Sequence, residues 1–101
     1  MITAKEAREK TEKKRQVFRE NISVLVNEYI DKEVELTILN AIEEGKSCCS
    51  VYIENKFNTD YEREIFVSKF TEILKKAGYV VEEKELFRYF IDWSRENFSF
   101  R

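Results

Sequence analysis

Between Phe18 and Ala41 the apolar side chains recur every three or four residues in two adjoining stripes: Phe18, Ile22, Leu25, Tyr29, Leu36 and Leu39 in one, Val26, Ile30, Val34, Ile38 and Ala41 in the other. That spacing is the period of an α-helix with a wide buried face. Upstream the pattern stops, since Arg8 to Gln16 holds no apolar residue, and Ala4, Ala7 and Thr11 are the small groups that share a stripe. Both ends are marked all the same. Thr3-Ala4-Lys5-Glu6 fits a capping box, neither proline nor glycine falls between Thr3 and Gly45, and Gly45 supplies a left-handed residue of the kind that ends helices. One long helix, or two collinear ones, is predicted over this stretch.

Beyond it the period changes. Ser47 to Glu54 alternates Cys49, Val51 and Ile53 against Cys48, Ser50 and Tyr52, as a half-buried strand does. Asn55 to Asp60 is a polar loop with a cap for the next helix, and Tyr61 to Ala77 gathers Phe66, Phe70, Ile73, Leu74 and Ala77 on one face. Gly78 ends that helix, and Tyr79, Val80 and Val81 open a second strand. The charges of Glu82 to Glu85 suggest a turn. Leu86 to Trp93 fits a strand, with Phe87, Tyr89, Ile91 and Trp93 on one side, and also a short helix through Leu86, Phe90 and Trp93; its aromatic and β-branched content favours the strand. Ser94 to Arg101 is polar apart from Phe98 and Phe100, and is expected to fray or dock weakly.

The order α-β-α-β-β predicts a single α+β domain over residues 1–101. A right-handed crossover makes the first two strands parallel, and the third, the most apolar, runs antiparallel between them. Both helices then cover one face of a small three-stranded mixed sheet. The other face carries Cys48, Tyr52, Val80, Arg88 and Phe90, and a face so aromatic calls for cover. Tyr52, Arg88 and Phe90 are its candidate binding residues, able to stack and to hold an anion.

Some 42 helical residues span roughly 60 Å, whereas a compact domain of this size has a radius of gyration of about 13 Å. Residues 1–20 are therefore expected to protrude as an arm. The arm frays, bends back at Asn21 to Ser23, or packs on another chain. A start signal is of little use on an unfolded segment, so the third outcome predicts a homo-oligomer, a dimer on symmetry grounds. Ala4, Ala7 and Thr11 would permit close approach, and Phe18 and Leu25 would anchor the contact.

With 101 residues, 43% apolar and 38% charged, the chain suits one soluble domain. No apolar run is long enough to span a membrane and no signal peptide is recognisable, so a cytoplasmic location is expected. Residues 1–20 carry seven basic side chains against four acidic, and residues 21–101 carry eleven against sixteen. The arm is basic and the body acidic. Glu6, Glu9 and Glu12 interleave with the basic residues and no aromatic joins them, which argues against nucleic acid as the partner. The chain has no histidine, and its two cysteines, Cys48 and Cys49, are neighbours that a strand points to opposite faces. Zinc coordination and histidine-based catalysis have no residues to rest on, no cofactor is expected, and the carboxylate pairs Glu43-Glu44 and Glu82-Glu83 read as solvated faces. No enzyme activity is predicted.

The opening Ile2-Thr3-Ala4-Lys5-Glu6-Ala7-Arg8-Glu9, with Gly45 before a serine-rich strand, Ala77-Gly78-Tyr79-Val80-Val81 and Phe90-Ile91-Asp92-Trp93-Ser94, resembles a group of small uncharacterised proteins encoded by bacteriophages and prophages. The chain departs from the group at Asp92, where a small polar residue is favoured. The resemblance implies a phage accessory protein of the kind that diverts or disarms host machinery, and brings no catalytic residue with it. Two functions compete: a homo-oligomeric protein that binds a host protein, for host takeover or defence inhibition, and a small-ligand binder that sequesters a nucleotide at an oligomer interface.

Overall fold

The computed structural model describes residues 1–53 and 57–94. The long helix is built in three parts: α1 (Ala4–Tyr29), a π-helical turn (Ile30–Val34) and α2 (Glu35–Glu43). Thr3 starts it in an extended conformation, its hydroxyl accepting the Glu6 amide at 3.2 Å and donating to the Glu6 carboxylate. This is half of a capping box, because the carboxylate meets the hydroxyl and not the Thr3 amide. At the other end Gly45, at φ 77°, donates to the Ile42 carbonyl while Lys46 donates to that of Ala41, both at 2.9 Å.

The π turn follows from the spacing of the buried residues. Ile22, Val26, Ile30, Val34 and Ile38 all pack into the core and stand four apart, with Ala41 closing the row. Such a row averages about 3.8 residues per turn, against 3.6 for an α-helix, so an unbroken helix would carry it steadily round to solvent. One wider turn takes up the surplus: the Glu35 amide bonds to the Ile30 carbonyl, five residues back. Of the two predicted stripes, the one through Val26 and Val34 therefore faces the core along its length, and the other does so only at Phe18, Ile22 and Tyr29. Leu25, Leu36 and Leu39 are exposed.

After the long helix come β1 (Cys48–Tyr52), α3 (Asp60–Lys76), β2 (Val80–Glu85) and β3 (Arg88–Asp92), an α+β fold. The sheet order is β1-β3-β2, with β3 antiparallel to both neighbours. β1 and β2 are thus parallel to each other but separated by β3, and both ladders are antiparallel, so the sheet is antiparallel and not mixed as expected: a mixed sheet needs a parallel pair side by side, and β3 lies between the two parallel strands. Two boundaries differ from expectation. Glu82 to Glu85 continues β2, and the turn lies at Leu86-Phe87, with Phe87 at φ 67° and a register shift between Glu83 and Glu85. Charged residues tolerate an edge strand that faces water, so their charge did not mark a turn. Within residues 86–93 the strand is Arg88–Asp92, and no part is helix. The predicted tail begins at Ser94, whose amide and hydroxyl donate to Asp92 Oδ1 at 2.8 and 2.6 Å; residues 95–101 lie outside the described residues.

α2 lies on β1 and α3 on β2, so both helices sit on one face of the sheet. Between them Phe70 is fully buried, its ring 5.8 Å from those of Tyr29 and Tyr89, with Ile91, Val26 and Val34 closing around it. Trp93 is only half-buried, edge-on to Tyr79 at the end of the sheet, its amide donating to the Ser47 carbonyl at 3.0 Å. The molecule measures 60 × 30 × 23 Å with a radius of gyration of 16.7 Å. The excess over a compact domain is the N-terminal part of α1.

Candidate functional site

The strand alternation that sends Cys49, Val51, Val81, Tyr89 and Ile91 into the core sends their neighbours to the opposite face. None of the described elements covers that face. In the ladders Tyr52 stands opposite Arg88, and Phe90 stands between Ser50 on β1 and Glu82 on β2. The Arg88 guanidinium lies 5.9 Å from the centre of the Tyr52 ring, and the Lys84 ammonium lies 5.5 Å from that of Phe90, so each aromatic is paired with a cation from the adjacent strand. The three predicted binding residues, Tyr52, Arg88 and Phe90, are therefore brought together on one surface. Tyr52 is the most open of them, at 59% exposure.

Arg88 carries the sharpest polar feature. Its Nη1 reaches Glu85 at 3.3 Å, while Nε is buried and has no hydrogen-bond partner among the described residues. A guanidinium is a planar fork of five donors, which matches a carboxylate or phosphate presented edge-on. Scans of known families, curated proteins and solved structures return no match. The face must be read from its own chemistry.

Lys84 belongs to this surface although its sequence position suggested a turn, and the signal that places it is the continuation of β2 through Glu85. It is held by Glu82 at 2.8 Å, so the face carries both signs of charge. Cys48 lies on this side of β1 and Cys49 on the core side, and both thiols are free. Burial, and then the neighbouring Cys48, push the Cys49 thiol up from its ordinary pKa, which disfavours the nucleophilic thiolate.

On the core side a second polar pair stands at the edge where α3 meets β2. The Tyr89 hydroxyl donates to Glu83 Oε2 at 2.5 Å, in a shallow depression lined also by Arg63, Val67, Ser68 and Thr71. Burial first, and that hydrogen bond second, raise the Tyr89 pKa far above the ordinary phenol value, so the group is a fixed donor and no base.

The predicted interface residues fall in two places. Phe18 packs against the chain's own core, and Thr11 lines a groove of about 360 Å³ between α1 and the start of α3, with Lys14, Arg15, Asn58, Thr59 and Glu62. Tyr61 holds this junction: the Arg15 guanidinium sits 4.6 Å over its ring and Arg19 donates to its hydroxyl. Arg19 also bonds Glu12 at 2.8 Å, which lowers the Glu12 pKa through that hydrogen bond and then through charge. The arm is thus anchored to its own body back to about Thr11, an intramolecular contact absent from the three outcomes considered for it. Ala4 and Ala7 lie beyond the anchor and are exposed, and Leu25 is 40% exposed. No helix is long and apolar enough to cross a membrane among the described residues.

Proposed function

We propose that the protein works by binding another protein, as a homo-oligomer, in the manner of a phage accessory factor that redirects or inhibits a host component, and that the open sheet face is its recognition surface. The observation that carries this reading is the set Tyr52, Arg88, Phe90 and Lys84, two aromatics interleaved with two cations on a sheet face that none of the described elements covers. Tyrosine and arginine are the residue types that dominate binding energy at protein interfaces, because they desolvate a large area while keeping a directed donor. No catalytic role is assigned to any residue.

The Arg88 guanidinium beside the Tyr52 ring supports a second reading, in which the same face takes an anionic small ligand such as a nucleotide, with Tyr52 or Phe90 stacking on the base. One set of preparations separates the two. The tagged wild-type chain and the variant Arg88→Glu are captured from phage-infected cells and the retained proteins are identified by mass spectrometry. A single host protein in near-stoichiometric amount with wild type, and lost with Arg88→Glu at unchanged melting temperature, supports the first reading. Retention of that protein by the variant refutes the surface. Excess absorbance at 260 nm in purified wild type, absent from the variant, supports the second.

A further inference from the structure

The long helix has a solvent side as well as a core side, and that side is not polar throughout. At 3.6 residues per turn, a residue two positions from each of two buried neighbours points away from both. Val24 stands so between Ile22 and Val26, and Leu36 stands so between Val34 and Ile38; they are 58% and 56% exposed. Val17, seven residues before Val24, and Leu39, three after Leu36, extend the row in both directions and are half-exposed too. A water-facing helix side with four aliphatics, repeated on both sides of the π turn, has no use in the monomer.

The charges beside this row are arranged by position. Over residues 1–20 the helix carries seven basic groups against four acidic, while residues 21–45 carry one basic group against six acidic. Two copies laid side by side in parallel would set basic end on basic end and acidic on acidic. Laid antiparallel with Val17 opposite Leu39, Lys13 and Lys14 at one end of the row come beside Glu43 and Glu44 of the other copy, and charge beside an apolar seam is what fixes orientation between paired helices.

We infer that two copies of this chain associate through the solvent sides of their long helices, antiparallel, with Val17 of one copy against Leu39 of the other and Lys13 and Lys14 alongside Glu43 and Glu44. This rests on the homo-oligomeric reading above and gives it a surface, one different from the side that Thr11 and Phe18 occupy against α3. The seam lies across the helical layer from the open sheet face, so a dimer presents two recognition surfaces pointing outward.

The experiment uses full-length chains. Sedimentation equilibrium on wild type at tens of micromolar should show a dimer that weakens with added salt, as exposed charge pairs do. Leu36→Glu with Leu39→Glu should raise the dissociation constant at least about a hundredfold, as loss of apolar anchors from a seam does, with the circular dichroism spectrum unchanged. Orientation is read by oxidation in a Cys48→Ser, Cys49→Ser background: a mixture of V17C and L39C chains should form the mixed disulfide dimer, and V17C alone should not cross-link. A wild-type monomer overturns both this inference and the oligomeric reading. A wild-type dimer that survives the Leu36 and Leu39 substitutions, or V17C chains that cross-link to each other, overturns the inference alone.

Discussion

If the π turn exists because the buried row runs four apart, then removing one residue there should be far less harmful than adding one. Deleting Lys32, which is exposed, leaves Ile22, Val26 and Ile30 where they are and brings Val34, Ile38 and Ala41 one position closer. The row then advances by four, four, three, four and three residues, the ordinary alternation of an α-helix, and the five-residue bonds revert to four. We expect stability within about 1 kcal/mol of wild type. Inserting an alanine after Lys32 instead turns α2 by about 100° relative to α1. Val34 at 0% exposure and Ile38 at 7% would leave the core, at roughly 1.5–3 kcal/mol each. The sum, about 3–6 kcal/mol, approaches the 5–15 kcal/mol expected for a whole domain. Urea unfolding followed by far-ultraviolet circular dichroism measures both, and a drop in midpoint at unchanged slope reads directly as stability. Equal losses from deletion and insertion would show that the π turn is not a response to the spacing.

Other perturbations test the rest of the molecule. Phe70→Ala should cost about 3–5 kcal/mol, since its ring is fully buried between Tyr29 and Tyr89, whereas Trp93→Ala should cost clearly less because Trp93 is half-exposed; thermal melts that rank them the other way would contradict the packing. Tyr89→Phe should lose about 1 kcal/mol near neutral pH. The folded Tyr89 pKa is raised, so its contribution is fully present below the unfolded phenol value of about 10 and declines as pH rises above it. Wild-type stability should accordingly fall between about pH 10 and 12 more steeply than that of Tyr89→Phe, and parallel curves would discount the burial of this hydroxyl. Tyr61→Ala removes the ring under Arg15 and the hydroxyl that Arg19 meets; amide exchange over residues 11–19 should then quicken while the sheet keeps its protection, and uniform protection would show that the arm does not depend on this anchor.

The sequence is informative where periodicity and punctuation coincide. Thr3 and Gly45 bound the long helix, Thr59 and Gly78 bound α3, and the apolar content of Tyr89 and Ile91 marks β3 as the central strand; all three elements stand as read. The open face with Tyr52, Arg88 and Phe90 followed from simple alternation once that order was set. What escaped depended on tertiary context. Glu82 to Glu85 looks like a turn because charge is the only local signal, yet an edge strand can carry it. The spacing of Ile22, Val26, Ile30, Val34 and Ile38 already contained the π turn, but the leucines beside it offered an equally regular stripe, and only burial distinguishes them. Nothing local links Tyr61 to Arg15 and Arg19, which lie 42 or more positions away.

The position of β3 has a consequence for synthesis. It is the last of the described strands and the middle of the sheet, so Cys48 waits for its partner Asp92 until nearly the whole described chain has been made. On the ribosome, a nascent chain that stops before Arg88 holds the aromatic side of α3 and two strands with no neighbour to pair with, the kind of unfinished edge that recruits other chains. A chain that stops before Arg88 keeps the packing of α1 on α3 but lacks both ladders, which the last few residues of β3 complete at once.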